Sequence, residues 1–160
     1  MGRLGVLDIY YDMDDHIYKN HNKTLLLYHL VFPSKYRREV FTDEVKASLE
    51  RICHEISKRY EITFLEIGME EDHVHFLVQS VPVMSVSEIV TTIKSLTARE
   101  IFRMHRDVKQ KLWGGHLWTS GYYANTVGLY AAKDVIRKYV ANQGKAEYEK
   151  LYDGQLHFDF

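Results

Sequence analysis

The order of strand-like and helix-like segments constrains the fold of this chain more than any other feature. Short apolar and aromatic runs, typical of strands, lie at 25–32, 62–69, 73–80 and 116–127, the last with a turn near Gly121. Apolar residues at helical spacing predict helices at about 43–59, 86–105 and 131–143. Thr42 and the Ser85–Glu88 pair are typical of helix N-termini. The predicted order is therefore β-α-β-β-α-β(β)-α.

The first six elements in this order are typical of one α+β architecture. They match the ferredoxin-like or RRM-like arrangement, in which an antiparallel sheet carries helices packed on one face. The last predicted helix, at about 131–143, is additional to this arrangement and carries a tyrosine. The 160 residues contain two prolines and no internal repeat or linker, so we expect a single folded unit.

Composition excludes several classes of protein. Hydrophobic residues make up 46% and charged residues 27%, which rules out an intrinsically disordered or collagen-like chain. The only cysteine, Cys53, excludes an intrachain disulfide framework and a cysteine-rich zinc site. No apolar run is long enough to span a membrane, and the first residues do not read as a secretory signal. We therefore expect a cytoplasmic protein.

Positive charge is concentrated in two stretches, although the formal net charge is −1. Lys35, Arg37 and Arg38 form a short basic cluster, and Lys94, Arg99 and Arg103 begin a second basic stretch. Such stretches fit either a phosphate-binding surface or an ordinary solvated face, and charge alone does not separate the two.

The segment His73-Val74-His75 lies within a predicted strand. Because side chains alternate across a strand, the two imidazoles share one face, while Val74 and Phe76 take the other. Neutral imidazole is a common ligand of divalent metals, although an exposed strand face with two histidines would look the same in sequence. If the strand extends to Asp72, this residue points to the opposite face from His73, so it is not predicted as a ligand.

The last predicted helix presents two further polar side chains. Tyr139 and Gln143 are four residues apart and so project from one helix face. A tyrosine oxygen can act as a nucleophile, and an amide oxygen can be a third metal ligand. A site with mixed nitrogen and oxygen donors suits Mg²⁺ or Mn²⁺. A core tyrosine and a polar helix end remain the alternative interpretation.

Five segments, in order, give the chain a resemblance to the single-tyrosine HUH transposases of the insertion-sequence 200/605 group. The segments that resemble the family are Tyr28-His29-Leu30-Val31-Phe32 with Lys35-Tyr36-Arg37-Arg38, Glu71-Asp72-His73-Val74-His75, Met84-Ser85-Val86-Ser87 with Lys94-Ser95-Leu96-Thr97, Trp118-Thr119-Ser120-Gly121-Tyr122-Tyr123 with Thr126-Val127-Gly128, and Tyr139-Val140-Ala141-Asn142-Gln143. The resemblance covers about 22–145. It divides the chain into an acidic extension at 1–21, a transposase domain at 22–145 and a tail at 146–160.

The resemblance implies an activity and a set of site residues. Members of the family cut and rejoin single-stranded DNA next to hairpins at insertion-sequence ends. It implies that His73, His75 and Gln143 bind one Mg²⁺ or Mn²⁺, and that Tyr139 forms a 5′-phosphotyrosine. It also implies a homodimer, in which the tyrosine helix of one subunit can complete the site of the other.

Residues expected to contact DNA follow from the basic stretches and the aromatic segment: Lys35, Arg37, Arg38, Lys94, Arg99, Arg103 and Tyr122. Tyr122 and Tyr123 are adjacent in a predicted strand, so one of them is expected to be buried. Trp113 and Trp118 are assigned to packing and His29 to a structural role.

Three alternatives remain open at the level of the sequence. The chain could be a domesticated single-tyrosine nuclease that acts on chromosomal repeats with the same site. It could be a ferredoxin-like binder of single-stranded nucleic acid without catalysis, which would not need His73, His75, Tyr139 and Gln143. A dimeric metal-sensing or small-ligand module would explain the two histidines but not the basic helix around Arg99.

Overall fold

The computed structural model of the chain describes residues 16–128. They belong to two compact units, one of which is Leu26–Thr126, while the other contains the described residues 16–25 and 127–128. Three predicted features lie outside the described residues: most of the acidic extension, the helix at 131–143 with Tyr139 and Gln143, and the tail at 146–160.

A short hairpin precedes the larger unit. Strands β1 (Ile17–Lys19) and β2 (Asn22–Thr24) pair antiparallel, with Ile17 opposite Thr24. No sequence pattern predicts this hairpin, because strands of three residues with mainly polar side chains carry too little alternation to be recognised.

The larger unit is built on a four-stranded antiparallel sheet. Its strands are β3 (Leu26–Pro33), β4 (Thr63–Met69), β5 (His73–Ser80) and β6 (Tyr123–Thr126). Their spatial order is β4-β5-β3-β6, and every neighbouring pair is antiparallel. This order and the β-α-β-β-α-β succession confirm the predicted ferredoxin-like arrangement. Strands β3 and β5 are the inner strands.

Helices α1 (Asp43–Arg59), α2 (Val86–Met104) and α3 (Arg106–Lys111) complete the unit. The Thr42 hydroxyl accepts a hydrogen bond from the backbone N–H of Val45, and Ser85 and Glu88 form a reciprocal capping box. Both caps begin their helices where the sequence predicts. Helix α3 is not predicted, because six residues are too short to show helical periodicity. None of the helices within residues 16–128 has the length and hydropathy that crossing a bilayer requires.

One face of the sheet forms the main core with α1 and α2. The inner strands supply apolar side chains that are fully or almost fully buried: Leu30, Phe32, Val74, Phe76 and Val78. The helices cover them with Val45, Leu49, Ile52, Cys53, Ile56, Ile89, Val90 and Ile93. Because alternate residues point away from this core, it determines which side chains of β5 face the other side of the sheet.

The segment after α3 departs from the prediction of a strand over 116–127. Gly114 and Gly115 adopt φ values of 110° and 80°, and only Tyr123–Thr126 continues as a strand. Trp118 is buried in the core, as predicted, with a ring stacked on Phe41. The assignment of Trp113 to packing is wrong: this residue, directly before the turn at Gly114 and Gly115, is 73% exposed.

Candidate active site

Two histidines project from one face of β5, as the alternation predicts. The rings of His73 and His75 have centroids 5.0 Å apart. Val74 and Phe76, on the opposite face, are completely buried in the core. An inner strand is hydrogen-bonded on both sides, so the backbone that carries both imidazoles is held by β3 and β4.

The two imidazoles differ in environment. His75 is buried, and burial, followed by repulsion from His29 and His73, lowers its pKa to about 3. Its ring is therefore neutral at pH 7, which is the state that can donate a nitrogen lone pair to a metal. The side chain of His73 is 22% exposed at the beginning of the strand. The pair thus combines one buried ring with one that solvent can reach.

Asp72 holds His73 in place. Its Oδ1 lies 2.7 Å from Nδ1 of His73, and its Oδ2 accepts from Nε and from a terminal nitrogen of Arg37, both at 3.1 Å. Burial raises the pKa of Asp72, but the hydrogen bonds from His73 and Arg37 outweigh it and hold that pKa below its usual value. An ionised carboxylate only accepts, so Nδ1 of His73 carries the proton and Nε2 keeps its lone pair.

His29, expected to be merely structural, contacts His75 from β3. Its Nε2 lies 3.2 Å from Nδ1 of His75, and its Nδ1 lies 3.2 Å from Oδ1 of Asn125. Sequence reasoning missed both His29 and Asn125, because strand register decides which side chains meet. The available signal was a polar histidine inside an apolar strand, since a buried imidazole needs hydrogen-bonding partners.

The side chains around His73 and His75 supply only part of the ligand set that a divalent cation requires. The imidazoles of His73 and His75 offer two nitrogen donors on one face. Within residues 16–128 there is no cluster of three or more histidine, cysteine, aspartate or glutamate side chains able to hold a metal ion. Two imidazoles are an incomplete ligand set, so a cation here needs a donor from elsewhere in the chain, from a partner or from substrate. The predicted third ligand, Gln143, and the predicted nucleophile, Tyr139, lie outside the described residues.

Two of the residues predicted to contact DNA meet in one cleft. Lys35 and Lys94 line a cleft of about 350 Å³, hereafter the lysine cleft, whose wall includes Trp118 and Ser120. Nζ of Lys94 also donates to the backbone carbonyls of Thr119 and Gly121, each at 2.8 Å. Burial lowers the pKa of Lys94.

The aromatic pair after this loop differs from the expectation, because neither Tyr122 nor Tyr123 is fully buried. Tyr122 is 38% exposed, and its ring centroid lies 5.6 Å from Nζ of Lys94. Tyr123 is only partly exposed and makes an edge contact with His29 at 6.4 Å between ring centroids. Tyr122 thus presents its ring beside Lys94, whereas Tyr123 belongs to the histidine face; base stacking by Tyr122 stays a prediction.

The four arginines predicted to contact DNA do not line the lysine cleft. Arg38 is exposed, and Arg37 is occupied with Asp72. Arg99 and Arg103, each with 67% of the side chain exposed, lie 3.6 Å and 2.8 Å from carboxylate oxygens of Glu100. Exposed ion pairs of this kind are weak, so both guanidinium groups can exchange this partner for a phosphate. Their role in DNA contact stays a prediction.

The fold and the paired histidines define an α+β ferredoxin-like domain with a two-histidine strand motif. Comparison with known proteins identifies the family. Residues 22–143 match the family profile described as transposase, IS200-like. The chain is 33% identical over 122 residues to the ISDra2 transposase TnpA of Deinococcus radiodurans, covering 76% of this chain and 86% of that protein.

Two further relatives agree. The transposase for insertion sequence element IS200 of Salmonella typhimurium is 32% identical over 123 residues, covering 77% of this chain and 80% of that protein. The crystal structure of a candidate transposase from Deinococcus radiodurans superposes with a TM-score of 0.65 at 30% identity, covering 79% of this chain and 97% of the other. The chain therefore belongs to the IS200-like transposase family, and so to the enzymes that cut and join DNA in transposition.

Proposed function

We propose that this transposase cleaves and rejoins single-stranded DNA beside hairpins at insertion-sequence ends, in a metal-dependent reaction through a 5′-phosphotyrosine. The observation that carries the proposal is the pair of oriented imidazoles of His73 and His75 on one face of β5. A binder without catalysis has no use for two such nitrogen donors. Family membership supplies the rest of the argument.

In the proposed reaction, the oxygen of Tyr139 attacks the scissile phosphorus. The new bond joins this oxygen to the 5′-phosphate, and the bond from phosphorus to the 3′-oxygen breaks. The departing 3′-oxygen takes up a proton, while the tyrosine proton passes to solvent. A free 3′-OH of another cut end then attacks the phosphotyrosine and displaces the tyrosine, which rejoins the DNA without ATP.

His73, His75 and Gln143 would hold one Mg²⁺ or Mn²⁺. A bound divalent cation polarises the phosphate and stabilises the charge that develops during attack. Tyrosine has an ordinary pKa of about 10, so at pH 7 it is mostly protonated and needs this assistance. Asp72 contributes by holding the ring of His73 with its Nε2 available.

The lysine cleft supports single-stranded DNA as the substrate. Lys35 and Lys94 place two cations beside the apolar surface of Trp118, and Tyr122 adds an exposed ring. Cations that follow a backbone and rings that stack on bases are the usual elements of a single-strand binding surface.

The proposed reaction takes place in the cytoplasm.

The test is a denaturing gel with labelled hairpin DNA from the flanks of the gene, with Mg²⁺, with Mn²⁺ or with a chelator. We expect an adduct that survives detergent, requires the cation, disappears in Tyr139→Phe and His73→Ala, and persists in Tyr60→Phe. Tyr60 is an exposed tyrosine at the end of α1 and serves as the matched control. DNA binding without any adduct would favour the non-catalytic binder, and an adduct in Tyr139→Phe would refute the assigned nucleophile.

We further propose a homodimer in which the active sites are shared between subunits. Mixing inactive Tyr139→Phe with inactive His75→Ala tests this directly. If Tyr139 acts in the site of the partner subunit, each mixed dimer has one complete site and cleavage returns. If Tyr139 acts within its own subunit, both sites of the mixed dimer are defective and cleavage does not return.

A further inference from the structure

We propose that Asn125 and His29 are positioning residues, which orient His75 and select its tautomer through a hydrogen-bonded chain across three strands. The inference rests on the proposed function, because it concerns a histidine that would bind the catalytic cation. It goes further by assigning roles to two residues outside the histidine motif, on β6 and β3.

Strand register brings the three side chains to one face. His29 on β3 is directly opposite Asn125 on β6, and the next same-face residue of β3, Val31, is opposite His75 on β5. His29 and His75 are therefore diagonal neighbours, within reach of long or aromatic side chains. The chain from Asn125 through His29 to His75 has two links of 3.2 Å each.

The geometry of the two rings is that of a hydrogen bond. Their planes differ by 14° and their centroids are 5.4 Å apart, while the facing nitrogens are 3.2 Å apart. Nearly parallel rings with this separation lie edge to edge around the N–H···N line. Both rings are buried, so this contact is made away from solvent.

The direction of each hydrogen bond in this series follows from the orientation of the Asn125 side-chain amide. Nδ2 of Asn125 lies 3.4 Å from the backbone carbonyl of Thr126, so the amide nitrogen points there and Oδ1 points to His29. An amide oxygen only accepts, so Nδ1 of His29 donates. An imidazole that carries its proton only on Nδ1 keeps a lone pair on Nε2, which is the nitrogen that faces His75.

The lone pair of His29 dictates the tautomer of His75. Nε2 of His29 must accept, so Nδ1 of His75 donates and Nε2 of His75 keeps the lone pair. Asp72 imposes the same tautomer on His73 from a different direction. Both histidines of the pair therefore present Nε2, and partners that fix a ligand in this way strengthen metal binding.

The first readout needs no metal. In protein labelled with ¹⁵N at histidine, long-range ¹H–¹⁵N spectra distinguish the two neutral tautomers of each ring. We expect His29 and His75 to be protonated at Nδ1 in the wild type and in Asn125→Asp, which retains an acceptor. Asn125→Leu should lose this preference at both rings, whereas Thr126→Val, at the exposed neighbouring position on β6, should keep it.

The second readout is the affinity for Mn²⁺, measured by electron paramagnetic resonance. We expect Asn125→Leu to weaken binding about 10-fold to 100-fold, and Asn125→Asp and Thr126→Val to stay close to the wild type. His29→Gln, whose amide oxygen can accept from His75, should retain more affinity than His29→Phe. If Asn125→Leu does not fold, the comparison of His29→Gln with His29→Phe still tests the hydrogen bond between His29 and His75.

Two results would overturn the proposal: a wild-type His75 protonated at Nε2, or an unchanged tautomer and unchanged Mn²⁺ affinity in folded Asn125→Leu. Failure of the proposed function appears differently. In that case the wild type would bind no Mn²⁺ while the spectra still showed the predicted tautomers.

Discussion

The indole Nε1 of Trp118 donates a hydrogen bond of 2.9 Å to the hydroxyl oxygen of Thr97, and both side chains are buried. That hydroxyl in turn donates to the carbonyl of Ile93, at 2.6 Å in the preceding turn of α2. The loop that forms one wall of the lysine cleft is thereby fixed to the inner face of a helix. A hydroxyl that donates in one direction and accepts in another satisfies both buried partners.

Removal of this hydrogen bond should destabilise the fold measurably. Trp118→Phe keeps an aromatic ring but loses the donor, so we expect the free energy of unfolding in urea to fall by about 1–2 kcal/mol. Trp113→Phe is the matched control, because that ring is exposed, and should change stability by less than about 0.5 kcal/mol. Equal effects of the two substitutions would contradict the assigned role of Trp118.

Acid should destabilise the protein through its buried histidines. Burial lowers the pKa of His29 from 6.5 to about 4, so the unfolded chain binds protons below pH 6.5 that the folded protein does not. The contribution of neutral His29 to the free energy of unfolding is fully present above pH 6.5 and is lost as the pH falls toward 4. For His29 alone we expect a loss of about 2 kcal/mol between pH 7.5 and pH 5.

His29→Gln should reduce this pH dependence, while His54→Gln, at an exposed position on α1, should leave it unchanged. Urea unfolding at pH 7.5 and pH 5 measures the difference. His75, whose pKa is lowered to about 3, contributes in the same direction and remains in both variants. An equal acid loss in wild type and His29→Gln would argue against a buried neutral His29.

The two lysines of the lysine cleft should respond differently to substitution. If Lys35 contacts one phosphate, Lys35→Gln should reduce the slope of log K against log salt for single-stranded DNA by about 0.7. Lys94→Gln should also lower the melting temperature, because the Lys94 ammonium group bridges two loop carbonyls. Lys58→Gln on α1 is the control for a surface lysine. An unchanged slope in Lys35→Gln would remove this residue from the DNA interface.

Cys53 should report on global unfolding. It is buried in the core, and burial followed by the charge of Glu50 raises the pKa of its thiol. The thiolate is the reactive form, so we expect labelling by an aromatic disulfide reagent to be about 100-fold slower in native than in denaturant-unfolded protein. His54→Cys in a Cys53→Ala background places the thiol on the exposed side of α1 and should react rapidly. Rapid labelling of native Cys53 would show that the core opens locally.

Local rules were sufficient to predict much of this fold. The caps at Thr42 and Ser85 and the apolar spacing that follows located both long helices, and alternation along β5 placed His73 and His75 on one face. Contacts between distant segments were the part that local rules could not supply. Arg37 meets Asp72 only when the loop after β3 and the turn before β5 come together, and Asn125 meets His29 only through strand register, which no single segment encodes.

The exposed Trp113 and the loop over 116–122 show a second limit. Aromatic residues in a row suggest a strand, but two glycines with positive φ turn the chain first, and a single tryptophan then reaches the core. This segment forms a loop and not a strand because Trp118 packs in the core while Trp113 stays exposed. That outcome is decided by packing and not by propensity.

The alternation along β5 has a consequence for how the chain can change. A single inserted or deleted residue within this strand would bring an imidazole into the apolar interior and move Val74 or Phe76 to the other face. The packed interior therefore fixes the face on which the histidines lie, because a strand that keeps Val74 and Phe76 in the core also keeps His73 and His75 on the opposite face. Length variation can accumulate in the loops, whereas the spacing of the two ligands is protected by every apolar contact beneath them.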